Sequence, residues 1–269
     1  MVTKLFSGLI KILPSFISSL LLILLKKILI STIDTSKIIN LKEKYNFLKL
    51  KPFPKLSKKN KKYFLRIKIQ NKDISVLKYT NWNVQLDRSI KTFFYIQSLV
   101  NFNSILDLGC GAGYFLYLNK FFKKKVTGLD WFQSNGYYND KSIFFLKEMN
   151  SLFNLKPIDY KITEYFKPKI KKKFDLITAF SANFDGEYIN RFKYVPWSVE
   201  KYEIFFENLS TYLKPNGKFF IKFNEKWEYK SNFYIDEKYI KYLNTKNFWY
   251  EKGIVTNIKI DKNLNHFLF

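Results

Sequence analysis

Cysteine and histidine are nearly missing from this chain of 269 residues: Cys110 and His266 are the single examples of each. One cysteine excludes an intramolecular disulfide and fits a reducing compartment. With one of each residue, a Cys/His zinc site is excluded and a Ser-His-Asp hydrolase is disfavoured. Arginine is scarce as well, at Arg66, Arg88 and Arg191 alone, and alanine occurs only as Ala112, Ala179 and Ala182. A protein built to read bases or to grip phosphates bidentately draws on arginine, so its scarcity weighs against that use.

What fills the chain instead is lysine, asparagine, isoleucine, phenylalanine and tyrosine. Apolar residues make up 47% and charged residues 26%, the balance of a globular rather than a disordered chain. A mass of 32.4 kDa is enough for one large domain or two small ones. Of the 47 basic side chains 44 are lysine, set against 22 acids for a net charge of +25. The abundant residues share A- and T-rich codons, so a global compositional bias explains much of the lysine. Such charge supports non-specific attraction to polyanions. Nucleic acid is therefore a partner that the sequence permits but does not favour.

Charge and hydropathy are uneven along the chain. Residues 1–62 hold 14 lysines against Asp34 and Glu43, a side-chain sum of +12. Within them Ile12 to Leu25 runs 14 residues without a charge, closed by Lys11 and by Lys26 and Lys27. A bilayer span takes roughly 20 apolar residues, so this run is short for one unless the flanking lysines snorkel. No small-x-small cleavage site follows it, which disfavours a signal peptide. On a helix, Lys4, Ser7, Lys11, Ser15, Ser18 and Lys26 fall near one line, interrupted by Leu22, with a broad Leu/Ile/Phe face opposite. That pattern suits a helix lying in a membrane interface, kinked at Pro14. A helix packed on its own domain or on a second subunit, and a true span, stay open. The expected organisation is an apolar, amphipathic N-terminal helix over residues 1–30 and a basic linker over 31–62, with Pro52, Pro54 and the lysines from Lys58 to Lys62. A folded domain over 63–269 follows, its core at about 85–260. The expected location is the cytoplasm, with attachment to the inner face of a membrane through the arm left open.

From residue 63 the pattern becomes more regular. Phe64 to Ile69 alternates as a strand does, and residues 85–100 carry apolar groups near helical spacing at Leu86, Ile90, Phe93, Ile96 and Val100. The segment Ser104-Ile-Leu-Asp-Leu-Gly-Cys-Gly-Ala-Gly113, followed by Tyr114 to Leu118, reads as a short buried strand, a glycine loop and a helix start. Gly109, Gly111 and Gly113 permit a tight turn and a close backbone approach to a ligand at the helix N-terminus. The next strand, Lys125 to Asp130, ends in a carboxylate 21 residues after Gly109, where an acid can accept two hydrogen bonds from a ribose diol. Order and spacing together point to a nucleoside-containing cofactor. A dinucleotide fingerprint requires Gly or Ala at position 114, and Tyr114 stands there.

The spacing Asp107-x-Gly109-x-Gly111-x-Gly113 resembles the first motif of the class I S-adenosylmethionine-dependent methyltransferases. Phe174-Asp175-Leu-Ile-Thr-Ala-Phe180 resembles their fourth strand. Leu213-Lys-Pro-Asn-Gly217 through Phe223, preceded by a helix over Glu203 to Leu213, resembles their turn and fifth strand. The resemblance covers about residues 85–260. It implies an α/β fold, a doubly wound, seven-stranded Rossmann-like methyltransferase sheet with helices on both faces and the last strand antiparallel; Phe248–Lys252 and Val255–Ile260 would be the closing pair. It implies S-adenosyl-L-methionine as cofactor, with Asp107 and the Gly109–Gly113 loop at its methionine end, Asp130 at the ribose hydroxyls, Trp131 beside the adenine and Phe180 flanking it. Many members set an acid after the third strand against the adenine amine. Counting back from Phe174 puts Thr163 there, with Glu164 adjacent. Plainer roles stand beside these: a tight turn for the glycines, a surface carboxylate for Asp130, gap filling for Trp131. Cys110 reads as a small buried filler.

Methyl transfer from a sulfonium is an in-line displacement that needs alignment and exclusion of water more than a catalytic group. A base is required only for a hydroxyl or a protonated amine. Acceptor residues in such folds come from loops at the carboxyl edge of the sheet. Here these offer Ser181, Asn183 and Asp185, then Asn224 and Glu225, while the long connection 181–202 adds Glu187, Tyr188, Arg191, Trp197 and Glu200. Asp185 is the first candidate for a catalytic base. Glu200 is another, in a run from Pro196 to Tyr202 that resembles the Trp-x-x-Glu stretch of some bacterial members without an assigned substrate. A helix cap or solvated loop acid, and a helix anchor, are their plain alternatives. Lys222 stands on the fifth strand as in the Lys-Asp-Lys-Glu tetrad of some RNA ribose methyltransferases, but no Asp occupies Ser181 or Ala182. The favoured acceptor is a glycan, a lipid-linked sugar or another membrane-proximal small molecule, because the lysine-flanked apolar arm resembles the leader helices of bacterial glycan-modifying transferases. RNA methylation, and a non-enzymatic scaffold with a degenerate methyltransferase fold, are the alternatives. No metal site is expected.

Overall fold

The computed structural model describes residues 82–133, 140–182, 184, 186–190, 193–223, 237–251 and 253–260. The chain divides into two units, Met1–Pro52 and Phe53–Phe269, and every described residue belongs to the second. The expected N-terminal helix, the basic linker and the strand at 64–69 lie outside the described residues.

The periodicity read over 85–100 belongs to helix α1, Trp82–Leu99. Ile90, Phe93, Phe94 and Ile96 are buried on it, as helical spacing of apolar side chains requires. Phe93 stacks on Phe122 with ring centres 4.5 Å apart and meets Phe102 edge-on at 6.2 Å. Strand β1, Ser104–Leu108, is buried at all five positions, the mark of a central parallel strand covered on both faces. There follow α2 (Tyr114–Phe121), β2 (Lys125–Asp130), α3 (Asp140–Leu152), β3 (Ile158–Asp159) and β4 (Phe174–Ala182). Next come a hairpin of β5 (Gly186–Asn190) and β6 (Lys193–Pro196), then α4 (Val199–Ser210) and β7 (Leu213–Phe223). The described chain closes with α5 (Glu237–Thr245), β8 (Trp249–Glu251) and β9 (Ile254–Thr256).

Seven of these strands form one sheet in the order β3-β2-β1-β4-β7-β9-β8. The first five in that order run parallel, and β9 is antiparallel to both its neighbours. This is the doubly wound sheet with an antiparallel last strand that the motifs implied. The closing pair is shorter than expected and turns at Gly253, whose φ is +76°. The helix before β7 starts at Val199, not Glu203, because Ser198 takes the extended N-cap conformation ahead of it. Within the connection 181–202 the chain forms the hairpin, with Gly186 opposite Pro196 and Glu187 opposite Val195.

Two apolar clusters hold the layers. Leu106, Leu108, Ile177, Ala179, Phe219 and Ile221 point from the sheet toward α4 and α5, meeting Phe205, Leu209, Tyr239 and Leu243. Side chains alternate along strands, so Asp107, Thr178 and Phe220 point to the other face. A second cluster joins α3 to α2 and the glycine loop through Phe145, Leu146, Met149, Leu116 and Cys110.

Candidate functional site

The strand order reverses between β1 and β4: the chain winds outward through β2 and β3, then returns to β4. Such a reversal opens a crevice at the carboxyl ends of the strands. Asp107 lies there, buried, one residue before β1 ends. Its register partner on β4 is Thr178, whose hydroxyl donates to Asp107 Oδ1 at 2.7 Å. Burial raises the Asp107 carboxyl to about 7, the Thr178 bond opposes the rise and the charge of Asp130 adds to it.

The glycine loop leaves β1 directly. Gly109 N and Cys110 N both donate to the Leu129 carbonyl, at 2.8 and 3.0 Å, which ties the loop to β2. Gly109, Gly111 and Gly113 all take positive φ, at +68°, +55° and +77°. Gly113 is required by space as well as by backbone: a Cβ there would stand 2.5 Å from Asn150 Oδ1 and 2.8 Å from a Leu155 methyl carbon. Gly111 N donates to Asp130 Oδ2 at 2.5 Å, and Trp131 N donates to Asp130 Oδ1 at 2.8 Å. Burial raises the Asp130 carboxyl, these two main-chain donors pull it back, and Asp159 adds to the rise. Cys110 Sγ lies where a Cβ on Gly128 would fall, 2.8 Å away. Burial and the two carboxylates push its thiol far up, which makes it a filler and not a nucleophile.

Trp131 is half-buried just beyond β2, with Lys161 Nζ 4.7 Å from its ring centre. Phe180 is half-buried near the end of β4, edge-on to Phe115 at 4.8 Å and tilted against Phe220 at 6.0 Å. Thr163 is half-buried but lies four residues beyond β3, which ends at Asp159. It is Asp159 that stands in register with Asp130, its Oδ1 accepting from Phe132 N at 3.0 Å. An irregular connection, with Glu164 paired to Lys201 at 3.2 Å, fills residues 160–173, so the stretch between β3 and Phe174 is longer than the count back to Thr163 allows. Asp159 had a sequence signal, an acid closing a short apolar-to-acid step after Pro157. Asn150, whose Nδ2 donates to the Gly111 carbonyl at 2.8 Å, had none.

Glu200 sits in the first turn of α4, fully exposed. The Ser198 hydroxyl, its own main-chain N–H and the nearby Lys238 hold its carboxyl below the usual range, the chemistry of a helix-start acid. Trp197 is buried against Phe184, Tyr202 and Phe205 and fixes the base of the hairpin to the core. Lys222, on β7, is in register with Phe180 and with Ile254. Asp185, Asn183, Arg191, Asn224 and Glu225 lie outside the described residues. Among the described residues no cluster of His, Cys, Asp and Glu could hold a metal ion.

The donor set suits a cationic nucleoside ligand. Two buried carboxylates flank the glycine loop, and among the described residues neither has a basic partner: Asp107 accepts from a hydroxyl and Asp130 from two main-chain N–H groups. Both keep acceptor capacity for an ammonium and a diol, while Phe180 and Phe115 offer aromatic surface to a positive centre.

No family model matches the chain, and no curated protein sequence matches it. Solved structures do. DesVI of Streptomyces venezuelae aligns at 16% identity and a TM-score of 0.40, over 60% of this chain and 59% of that one. An S-adenosylmethionine-dependent methyltransferase from Clostridium acetobutylicum aligns at 21% identity and a TM-score of 0.35, over 63% and 58%. CalS10, an amino pentose methyltransferase from Micromonospora echinaspora, aligns at 18% identity and a TM-score of 0.35, over 56% and 54%. This chain thus spans less than two thirds of each of these proteins. Strand order and strand direction, read from this chain itself, are those of a doubly wound, Rossmann-like sheet with an antiparallel last strand.

Proposed function

We propose that the chain is an S-adenosylmethionine-dependent methyltransferase. The observation that carries this is the bond from Gly111 N to Asp130 Oδ2, which joins a glycine loop of positive φ after β1 to the carboxylate that ends β2, the position from which an acid can accept from a ribose diol. S-adenosylmethionine supplies the activated methyl group. Asp107 and the Gly109–Gly113 loop would hold its methionine end and Asp130 its ribose. Trp131 would lie beside the adenine, Thr163, in the connection after β3, would face the adenine amine, and Phe180 would wall the reacting centre and exclude water. No residue need take a proton unless the acceptor is a hydroxyl or a protonated amine. Asp185, between β4 and the hairpin in sequence, is the candidate base in that case; the lowered carboxyl of exposed Glu200 fits a base poorly.

The hairpin after β4 supports a specific acceptor, since it adds chain at the carboxyl edge where acceptors meet the cofactor. The acceptor we favour is a glycan, a lipid-linked sugar or another small molecule near a membrane surface. Its support is the composition of residues 1–62, an uncharged stretch set among 14 lysines. No helix among the described residues is long and apolar enough to cross a membrane. The test is calorimetry of S-adenosylmethionine and S-adenosylhomocysteine on the full chain beside Asp130→Ala. Micromolar binding, about −8 kcal/mol, weakened more than about tenfold in the variant is expected. A folded wild type that binds neither compound would leave the scaffold reading.

A further inference from the structure

We infer that Asn150 is a positioning residue for the cofactor site, a staple that sets the glycine loop through a single peptide unit; this rests on the methyltransferase reading. Asn150 is buried near the end of α3, 39 residues from Gly111 in sequence. Its Nδ2 donates to the Gly111 carbonyl at 2.8 Å and to the Leu146 carbonyl, one helical turn back, also at 2.8 Å. Two acceptors at that end fix the amide's orientation, since a flipped amide would set oxygen against oxygen. Its Oδ1 has no hydrogen-bond partner among the described residues, and it lies 2.5 Å from the place a Cβ on Gly113 would take.

The consequence lies in Gly111. Its N–H points to Asp130 Oδ2 and its carbonyl to Asn150 Nδ2, so the residue is held between the proposed ribose-binding acid and a buried side chain of α3. A buried polar oxygen left unmade is costly, and it persists here because the other end of the same amide is committed to the loop. Removing the Nδ2 donor would orphan the Gly111 carbonyl. The loop would then be free to turn its peptide, and the N–H that restrains Asp130 would go with it. Asn150 thus acts on the ligand only through Gly111 and Asp130.

Two variants of the full chain separate this role from packing. Asn150→Leu keeps apolar volume without the amide; Asn150→Asp keeps the shape but replaces the donor by an acceptor. Amide hydrogen exchange and S-adenosylhomocysteine calorimetry are measured on both and on the wild type. The expected result is exchange accelerated at least about tenfold over residues 109–113, with β1, β4 and β7 still protected, and affinity lowered about tenfold, the scale of one buried hydrogen bond. Unchanged loop exchange and affinity would overturn the inference, as would acceleration spread evenly over the sheet. If neither variant folds, the side-chain amide protons of Asn150 in ¹⁵N-labelled wild type decide: slow exchange supports the staple, and exchange at the solvent rate overturns it. A wild type that does not bind S-adenosylhomocysteine, but whose loop responds to the substitutions, would sink the methyltransferase reading and leave the staple in place.

Discussion

At the scale of single residues, Asp107 sets stability against function. Burial holds its carboxyl near 7, so between about pH 4 and pH 7 the folded protein keeps a proton that the unfolded chain has released. Stability therefore falls as pH rises across that window and levels off above it. Asp107→Asn preserves the acceptor for the Thr178 hydroxyl and removes the titration. Its melting temperature should match the wild type near pH 4 and exceed it at pH 8, with a flatter slope between. The same change removes the charge proposed to meet the cofactor's ammonium, so affinity for S-adenosylhomocysteine at pH 8 should drop by about tenfold or more. Thermal scans across pH with calorimetry at pH 8 check both halves. A variant less stable than wild type at pH 8 would show that Asp107 is ionised and satisfied in the free protein.

Among the elements, the edge of the sheet opposite the site carries its own clamp. Asp175, at the start of β4, accepts from Asn103 N at 3.1 Å, Ser104 N at 2.8 Å, Ser104 Oγ at 2.8 Å and Lys214 Nζ at 2.9 Å, joining β1, β4 and β7. Burial works against its charge, but Lys214, Ser104 and the main-chain donors outweigh it and hold the carboxyl at about 2. A lowered carboxyl contributes stability that is fully present above about pH 4 and is lost as pH falls through 2. Asp175→Ala should cost about 2 kcal/mol in urea unfolding at pH 7, kept modest by the solvent around the group. At pH 2 the difference from wild type should shrink toward nothing, while cofactor affinity stays unchanged at pH 7. The strands this clamp joins were legible in the sequence, because each is a buried apolar run bounded by residues that break it: Asn103 before β1, the glycines after it, the lysines of 171–173 before β4. β3 was not, because a two-residue edge strand with both side chains exposed has no periodicity to read. The hairpin was hidden for a related reason, since turn-forming and strand-forming residues mix along 184–196. Asn150 and Asp175 act on partners 39 and 71 residues away, and no local pattern marks a contact that only the assembled layers create.

Across the whole molecule the charge is distributed in a way that makes attraction to RNA and attraction to an anionic membrane separable. Residues 1–62 carry +12 of the +25, beside a stretch of 14 uncharged residues; the remaining +13 is spread over a body more than three times as long. Spread lysine charge attracts any polyanion and fades with salt. Lysine beside an apolar stretch adds a second term, burial in the acyl boundary, that salt does not screen. Full-length protein should therefore bind both RNA and vesicles containing phosphatidylserine at low salt, and the two should part as salt rises. RNA binding should fall steeply and without sequence preference, while part of the vesicle binding persists. Replacing Lys26 and Lys27 together by glutamate should lower vesicle partition by about tenfold or more at 0.1 M salt, at roughly 1 kcal/mol per charge before screening. RNA binding should lose far less, because most of the lysines that support it are elsewhere. Co-sedimentation with vesicles and filter binding of RNA, each over a salt series, measure the two slopes. Equal partition of wild type and variant would remove the support for a membrane-proximal acceptor, and methyl incorporation into RNA in the same samples would move the acceptor to nucleic acid.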